Sequence, residues 1–428
     1  MRISSLVLIL ALLAACDTGT DGPLSATTQD AVDLPENWRL EIQLPQVVLP
    51  VELHLAKDFS AAWLENGAER VPVPAISHNG SHLQLRFPAF NNTFELEMTE
   101  LRLEGELTLV KLGYEQCLPV TGRRGLDYRF TASPKATVDV TGRWQVVFTD
   151  DDGNKTDAVG EFDQQGSRVV GTFLTPTGDY RYLQGEVDGR QLRLSSFDGA
   201  HAFVFIAKMN AAGELAGDFW SGSRWHERWV ARKNFAASLP DPYTLTFLKE
   251  GYDTLEFTFP DLEGQPTSLS DEKFRGKVVV VTLSSSWCPN CADEVAFLTE
   301  YFRGNHERGL EIITLLYEHF EDFARAAAQG RALRDQYHID YDVLVAGTSD
   351  KTQAAETLPM LNRVLAFPTM IFIDRSGRVR RIHTGFSGPG TGAHYTEFVA
   401  DFRRTMDELL TESNQKSSEL IRVSLSKR

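Results

Sequence analysis

Two cysteines three positions apart, Cys288 and Cys291 in Trp287-Cys288-Pro289-Asn290-Cys291, are the residues of this chain best suited to chemistry. A thiolate attacks a disulfide sulfur to form a mixed disulfide, and a second thiol one helical turn away can resolve it. The pair stands where a continuous apolar run, Lys277-Val278-Val279-Val280-Val281, gives way to Val295, Leu298 and Phe302 at helical spacing. The first pattern suits a fully buried central strand and the second a helix packed on it. At a helix N-terminus the dipole and the unpaired N–H groups stabilise a thiolate, which makes Cys288 the nucleophile and Cys291 the resolving thiol. Pro289 suits the first helical turn, where a missing N–H costs nothing. A zinc site would need four ligands, and the chain has no second close cysteine pair to supply them. Covalent haem attachment would need a histidine after the second cysteine, where Ala292 stands. Neither a metal nor a cofactor is expected.

The remaining two of four cysteines are Cys16 and Cys117, too few for a disulfide framework. Met1-Arg2 and the apolar run up to Ala15 read as a signal peptide over residues 1–15, too short to span a bilayer comfortably. Leu13-Ala14-Ala15-Cys16 resembles the lipobox of bacterial lipoproteins, which implies that Cys16 is acylated and holds the chain on a membrane. Asp17 resembles an inner-membrane retention signal, which points to the cell envelope, facing the periplasm. Cys117 is expected as an inert, half-buried thiol. A net charge of −16 and a pI near 5.1 oppose a nucleic-acid partner.

The length of 428 residues calls for several cores. Residues 16–36, rich in Thr, Gly, Asp and Ser, read as a lipidated tether. From there to 236 short alternating runs and Asn-Gly or Asp-Gly turns predict an all-β region. A weak repeat divides it at 37–135 and 136–236. Asn79-Gly80-Ser81-His82-Leu83-Gln84-Leu85 matches Asp188-Gly189-Arg190-Gln191-Leu192-Arg193-Leu194, followed at like distances by Phe94 and Phe203, with Trp38 and Trp144 opening the copies. Two related β units are expected, as twin barrels or sandwiches or as halves of one structure. Pro240-Asp241-Pro242 marks a linker over 237–250. Strand-like and helix-like segments then alternate over 251–412, an α/β layout, and 413–428 reads as a flexible tail. Gly388-Pro389-Gly390-Thr391-Gly392 lacks the lysine of a phosphate loop and reads as a connection.

The segment 251–412, about 160 of 428 residues, resembles the TlpA and ResA group of membrane-anchored thioredoxin-like proteins. The likeness rests on the Lys277–Val281 strand leading into the cysteine motif, on Phe367-Pro368-Thr369, and on Gly264-Gln265-Pro266-Thr267-Ser268-Leu269. It implies a thioredoxin fold with Pro368 in cis, facing the cysteines beside Trp287 and Phe367, where extended substrate would pair. Thr282 stands where cytoplasmic thioredoxins carry a buried aspartate. Glu318 matches in place a glutamate of the group and is expected to exchange a proton with Cys291. Glu294 fits the pattern too, or lies on a wet helix face. The resemblance implies a reductase of exported protein disulfides, apocytochromes among them, fed by a membrane thiol-disulfide electron donor. Two alternatives stand beside it. A peroxiredoxin-like thiol peroxidase would need Pro-x-x-x-Thr-x-x-Cys, where this chain has Val281 and Ser285. A binding protein would capture its ligand or partner with the β units and sense redox state with the rest.

Overall fold

Alternation of buried apolar and outward polar residues, as in Trp38, Leu40 and Ile42, builds the first sheet of the structure, a computed structural model that describes residues 35–412. It has nine antiparallel strands, with Glu36–Gln43 in the middle between Val48–Leu55 and Tyr114–Arg124. Its edge strands, Glu69–Pro72 and Ala75–Asn79, are consecutive in the chain and joined by Val73-Pro74 alone. Three steps of about 3.8 Å between Cα atoms force those edges together, so the sheet curls into a nearly closed barrel without bonding across the seam.

The second sheet also has nine strands, and it does close. Gly142–Asp150 pairs with Trp225–Lys233, and Lys155–Gln165 pairs with both Gly142–Asp150 and Arg168–Thr175. The ring leaves out only the two-residue strand Gly178–Asp179, which folds back on Arg168–Thr175. Side chains fill a barrel of this size. Here they are Trp144, Phe148, Phe173, Phe205, Phe219 and Trp229, with Phe205 stacked on Phe219 at 4.3 Å between ring centroids.

The repeated residues fall on comparable strands of the two sheets, with Asn79-Gly80 and Asp188-Gly189 each at the turn of a hairpin, but one sheet stays open and the other closes. Nor is the first core self-contained. The bend Phe197–Ala202 of the second barrel plugs it, with Phe197 edge-on to Phe94 at 5.4 Å and to Phe87 at 6.2 Å. Asn66 donates to the Phe197 carbonyl at 3.0 Å and Asn92 to that of Gly199 at 2.9 Å.

The C-terminal domain has a five-stranded sheet in the order Asp342–Thr348, Leu310–Glu318, Val278–Ser284, Thr369–Ile373, Val379–Thr384. The first three run parallel, and Thr369–Ile373 is antiparallel to its two neighbours. Every residue of Val278–Ser284 is buried, as a central strand covered on both faces requires. One face packs against helices α1 (Pro289–Asn305), α2 (Phe323–Tyr337) and α4 (Ala393–Thr411) through Val295, Leu333 and Phe402. The other packs against the segment around Leu255 and Phe257 and the short helix α3 (Lys351–Thr357). Residues 237–250, expected as a linker, are packed rather than free: Ala237 is buried against Val159 and Leu174, and Tyr243 lies edge-on to His383 at 4.9 Å. The signal peptide, Cys16, the tether up to residue 34 and the tail 413–428 lie outside the described residues. Among the described residues no helix is long and apolar enough to cross a membrane.

Candidate active site

Cys288 is the N-cap of α1, with extended backbone (φ −104°, ψ 114°) and Pro289 directly after it in the first turn. Its sulfur accepts the Cys291 N–H at 3.4 Å and lies 3.6 Å from the Phe367 carbonyl oxygen. Hydrogen bonding from the Cys291 thiol, helped by the backbone N–H groups of Cys291 and Asn290, holds the Cys288 thiol below its ordinary range against the opposing effect of burial. Cys291 is fully buried, and burial together with the charge of Cys288 pushes its thiol well up. The Ser285 hydroxyl is 3.7 Å from its sulfur. Both cysteines are free thiols. One thiol is set up to ionise and attack, while the other keeps its proton until it is needed.

Two buried carboxyls flank the pair. Glu294, three residues beyond Cys291 on α1, is fully buried and accepts a hydrogen bond from the Thr282 hydroxyl. Burial pushes its pKa up to about 8, and the charge of Cys288 pushes the same way. Thr282, which replaces the expected aspartate, thus presents a carboxyl after all, borrowed from the facing helix. The Glu294 Oε1 has no hydrogen-bond partner. Glu318 ends the strand Leu310–Glu318 and accepts two bonds from Ser286, from the N–H and from the hydroxyl, each at 2.8 Å. Burial raises its pKa to about 7. Glu318 therefore braces the turn into Cys288, whereas Glu294 is the carboxyl whose charge bears on Cys291.

The Phe367-Pro368 bond is cis. Trp287 stacks on His319 at 4.4 Å, lies edge-on to Phe367 at 6.4 Å and donates its indole N–H to the Tyr317 carbonyl at 3.1 Å. Burial, with the charge of Lys111, lowers the His319 pKa to about 3, so the ring stacked on Trp287 is neutral. The structure thus brings Trp287, Cys288, Cys291, Phe367 and Pro368 together.

Residues 249–397 match the Redoxin family. The C-terminal domain is a Redoxin domain. Its relatives include the thiol-disulfide oxidoreductase ResA of Bacillus thuringiensis subsp. konkukian, 26% identical over 129 residues, covering 30% of this chain and 66% of that protein. The ResA of Geobacillus thermodenitrificans is 23% identical over 140 residues, covering 33% of this chain and 72% of its own length. A solved thiol:disulfide interchange protein of the thioredoxin family from Chlorobium tepidum TLS is 21% identical, with 38% of this chain and 98% of that chain covered and a TM-score of 0.29.

Away from the cysteine pair, three sequence readings change or gain detail. Cys117 is exposed, because the strand Tyr114–Arg124 buries Gln116 and Leu118 and turns the residue between them to solvent. The loop at Gly388 does receive an anion through its N–H, at 2.7 Å, but that anion is the carboxylate of Asp179 in the second barrel. Among the described residues the one grouping of metal-ligand type is Glu52, His54 and Glu65 on the first sheet.

Sequence reasoning missed Arg181. Its guanidinium donates to the Pro289 carbonyl at 2.9 Å and pairs with Asp293 of α1 and Glu69 of the first sheet. More than a hundred residues separate it from each of these partners, and no local pattern announces them.

Proposed function

We propose that the chain is a membrane-anchored, extracytoplasmic thiol-disulfide oxidoreductase working by dithiol-disulfide exchange at Cys288 and Cys291. The observation that carries the reading is the asymmetry of the pair: Cys288 caps α1 and accepts the Cys291 N–H, while Cys291 is sealed in the core beside Glu294. The Cys288 thiolate attacks one sulfur of a substrate disulfide, the S–S bond breaks, and the departing sulfur takes up a proton. Cys291 then gives its proton to the Glu294 carboxylate and attacks Cys288, forming the intramolecular disulfide and releasing the second substrate thiol. Glu318 supports the first step by holding the Ser286 turn.

The resemblance to the TlpA and ResA group supports the reducing direction, with exported protein disulfides, apocytochromes among them, as substrates and a membrane thiol-disulfide donor restoring the dithiol. Acylated Cys16 would hold the protein on the periplasmic face of the inner membrane. The matched positions of the repeat support kinship between the two β units.

The test is incubation of the reduced protein with a short peptide disulfide, followed by peptide mapping. The Cys288–Cys291 disulfide should form as the peptide is reduced, and Cys288→Ser should abolish both. Rapid hydroperoxide turnover without disulfide exchange would replace this reading with a thiol peroxidase.

A further inference from the structure

A thiol that exchanges with protein disulfides needs an open groove, yet here the groove is filled from within. Cys288 is only 6% exposed, Asn290 8% and Phe367 8%, and Pro289 and Pro368 are buried as well. The cover is the tight hairpin of the second barrel formed by Arg168–Thr175 and Gly178–Asp179, with Pro176 and Thr177 at its tip.

On one side this hairpin meets the motif. A Cβ on Gly178 (φ 147°) would lie 3.4 Å from the Asn290 amide nitrogen. On the other side it meets the cis-proline loop. A Cβ on Gly385 would come within 3.0 Å of the Thr177 carbonyl carbon and 3.2 Å of the Gly178 nitrogen, and the Gly385 N–H itself donates to the Pro368 carbonyl at 3.0 Å. Two residues fasten the hairpin. Asp179 accepts the Gly388 N–H at 2.7 Å, and Arg181, just beyond, donates to the Pro289 carbonyl at 2.9 Å while pairing with Asp293 and Glu69. Asp198 adds a carboxylate 3.7 Å from the guanidinium.

Extended peptides dock by main-chain pairing at exposed backbone, and here the hairpin lies against both flanks of the groove, bonded to the Pro289 carbonyl and the Gly388 N–H and abutting Gly385. We propose that Pro176–Arg181 is an autoinhibitory strap, an internal occupant of the substrate groove latched by Arg181, which a protein disulfide must displace before it reaches Cys288. This deepens the oxidoreductase reading and rests on it. The β region is then a built-in competitor of the substrate, and the reactivity of Cys288 scales with the fraction of molecules in which the strap is released.

The test is peptide-resolved alkylation of the full chain with iodoacetamide, using exposed Cys117 as the internal reference, together with reduction of insulin and of a short peptide disulfide. Cys288 has the lowered thiol pKa, so an accessible Cys288 would outpace Cys117. The strap predicts the reverse in the wild type, a lag of about tenfold or more. Arg181→Ala should raise Cys288 labelling and insulin reduction together by about tenfold or more. Asp293→Asn keeps the side-chain volume, removes the charge on α1 and should give a smaller rise in both. If Arg181→Ala does not fold, Asp293→Asn and the wild-type ratio of Cys288 to Cys117 labelling decide. Wild-type labelling of Cys288 as fast as Cys117, or folded variants with wild-type rates in both assays, would overturn the strap. Faster labelling with no disulfide exchange, even on the short peptide, would leave the strap standing and remove the oxidoreductase reading instead.

Discussion

Replacing Glu294 by glutamine isolates the buried carboxyl beside Cys291. Burial raises the folded-state pKa from 4.5 to about 8, so the fold favours the protonated carboxyl. Stability from this group is full below 4.5 and is lost as the pH rises through about 8. At about 1.4 kcal/mol per pKa unit the full loss is on the order of 4 to 5 kcal/mol. Glutamine is neutral throughout and cannot show it. Urea unfolding of the reduced protein between pH 5 and 8 should therefore give a steep fall in the wild type and a shallower one in Glu294→Gln, where the other buried carboxyls with raised pKa, Glu318 and Asp179 among them, still contribute. In single-turnover exchange the variant should lose the rate inflection near pH 8 and resolve mixed disulfides more slowly at every pH, because the Cys291 proton has lost its acceptor. Parallel stability curves, or an inflection that survives, would refute the assignment of Glu294 as a buried, titrating proton acceptor.

Glu318→Gln should flatten the same stability curve between 4.5 and about 7, while slowing attack by Cys288 more than resolution, which stopped-flow mixing with a peptide disulfide separates. Phe197→Ala should cost about 3 to 5 kcal/mol by opening the plug of the first barrel, read as a lower urea midpoint, and residues 37–135 expressed alone should stay unfolded. Cys16→Ser should abolish lipid attachment and release the protein from membranes, and a Cys16→Ser protein that still sediments with them would remove the lipoprotein reading.

The C-terminal domain was largely legible because its elements are written locally. The Thr369–Ile373 strand carries an unbroken apolar run, and the strand expected from Lys277–Val281 spans Val278–Ser284. Helix α4 starts earlier than its apolar spacing from Phe398 suggests, since its first turn carries polar residues. Helix α3 went unread: it has seven residues, one buried side chain at Ala354, and no signal beyond the Asp350 cap. The cysteines, Trp287, Phe367 and Pro368 announce themselves by motif. The division of labour between the two carboxyls does not, because Glu294 and Glu318 both end up buried and only contacts across the fold, to Thr282 and to Ser286, tell them apart. In the β region alternation reveals strands but not partners. Whether a curled sheet closes depends on register at the last seam, and no short pattern encodes that. The same holds for Asp179, in the two-residue strand, and for Arg181, left-handed just beyond it (φ 54°), which act on residues more than a hundred positions away.

The most direct test of the central claim is single turnover of the Cys291→Ala protein with a short peptide disulfide, resolved by intact mass and peptide mapping. The peptide should accumulate in a mixed disulfide on Cys288, at one per chain, while the wild type passes through to the Cys288–Cys291 bond. A peptide attached to exposed Cys117 with Cys288 left free, or a wild type that never forms the intramolecular disulfide, would contradict the account.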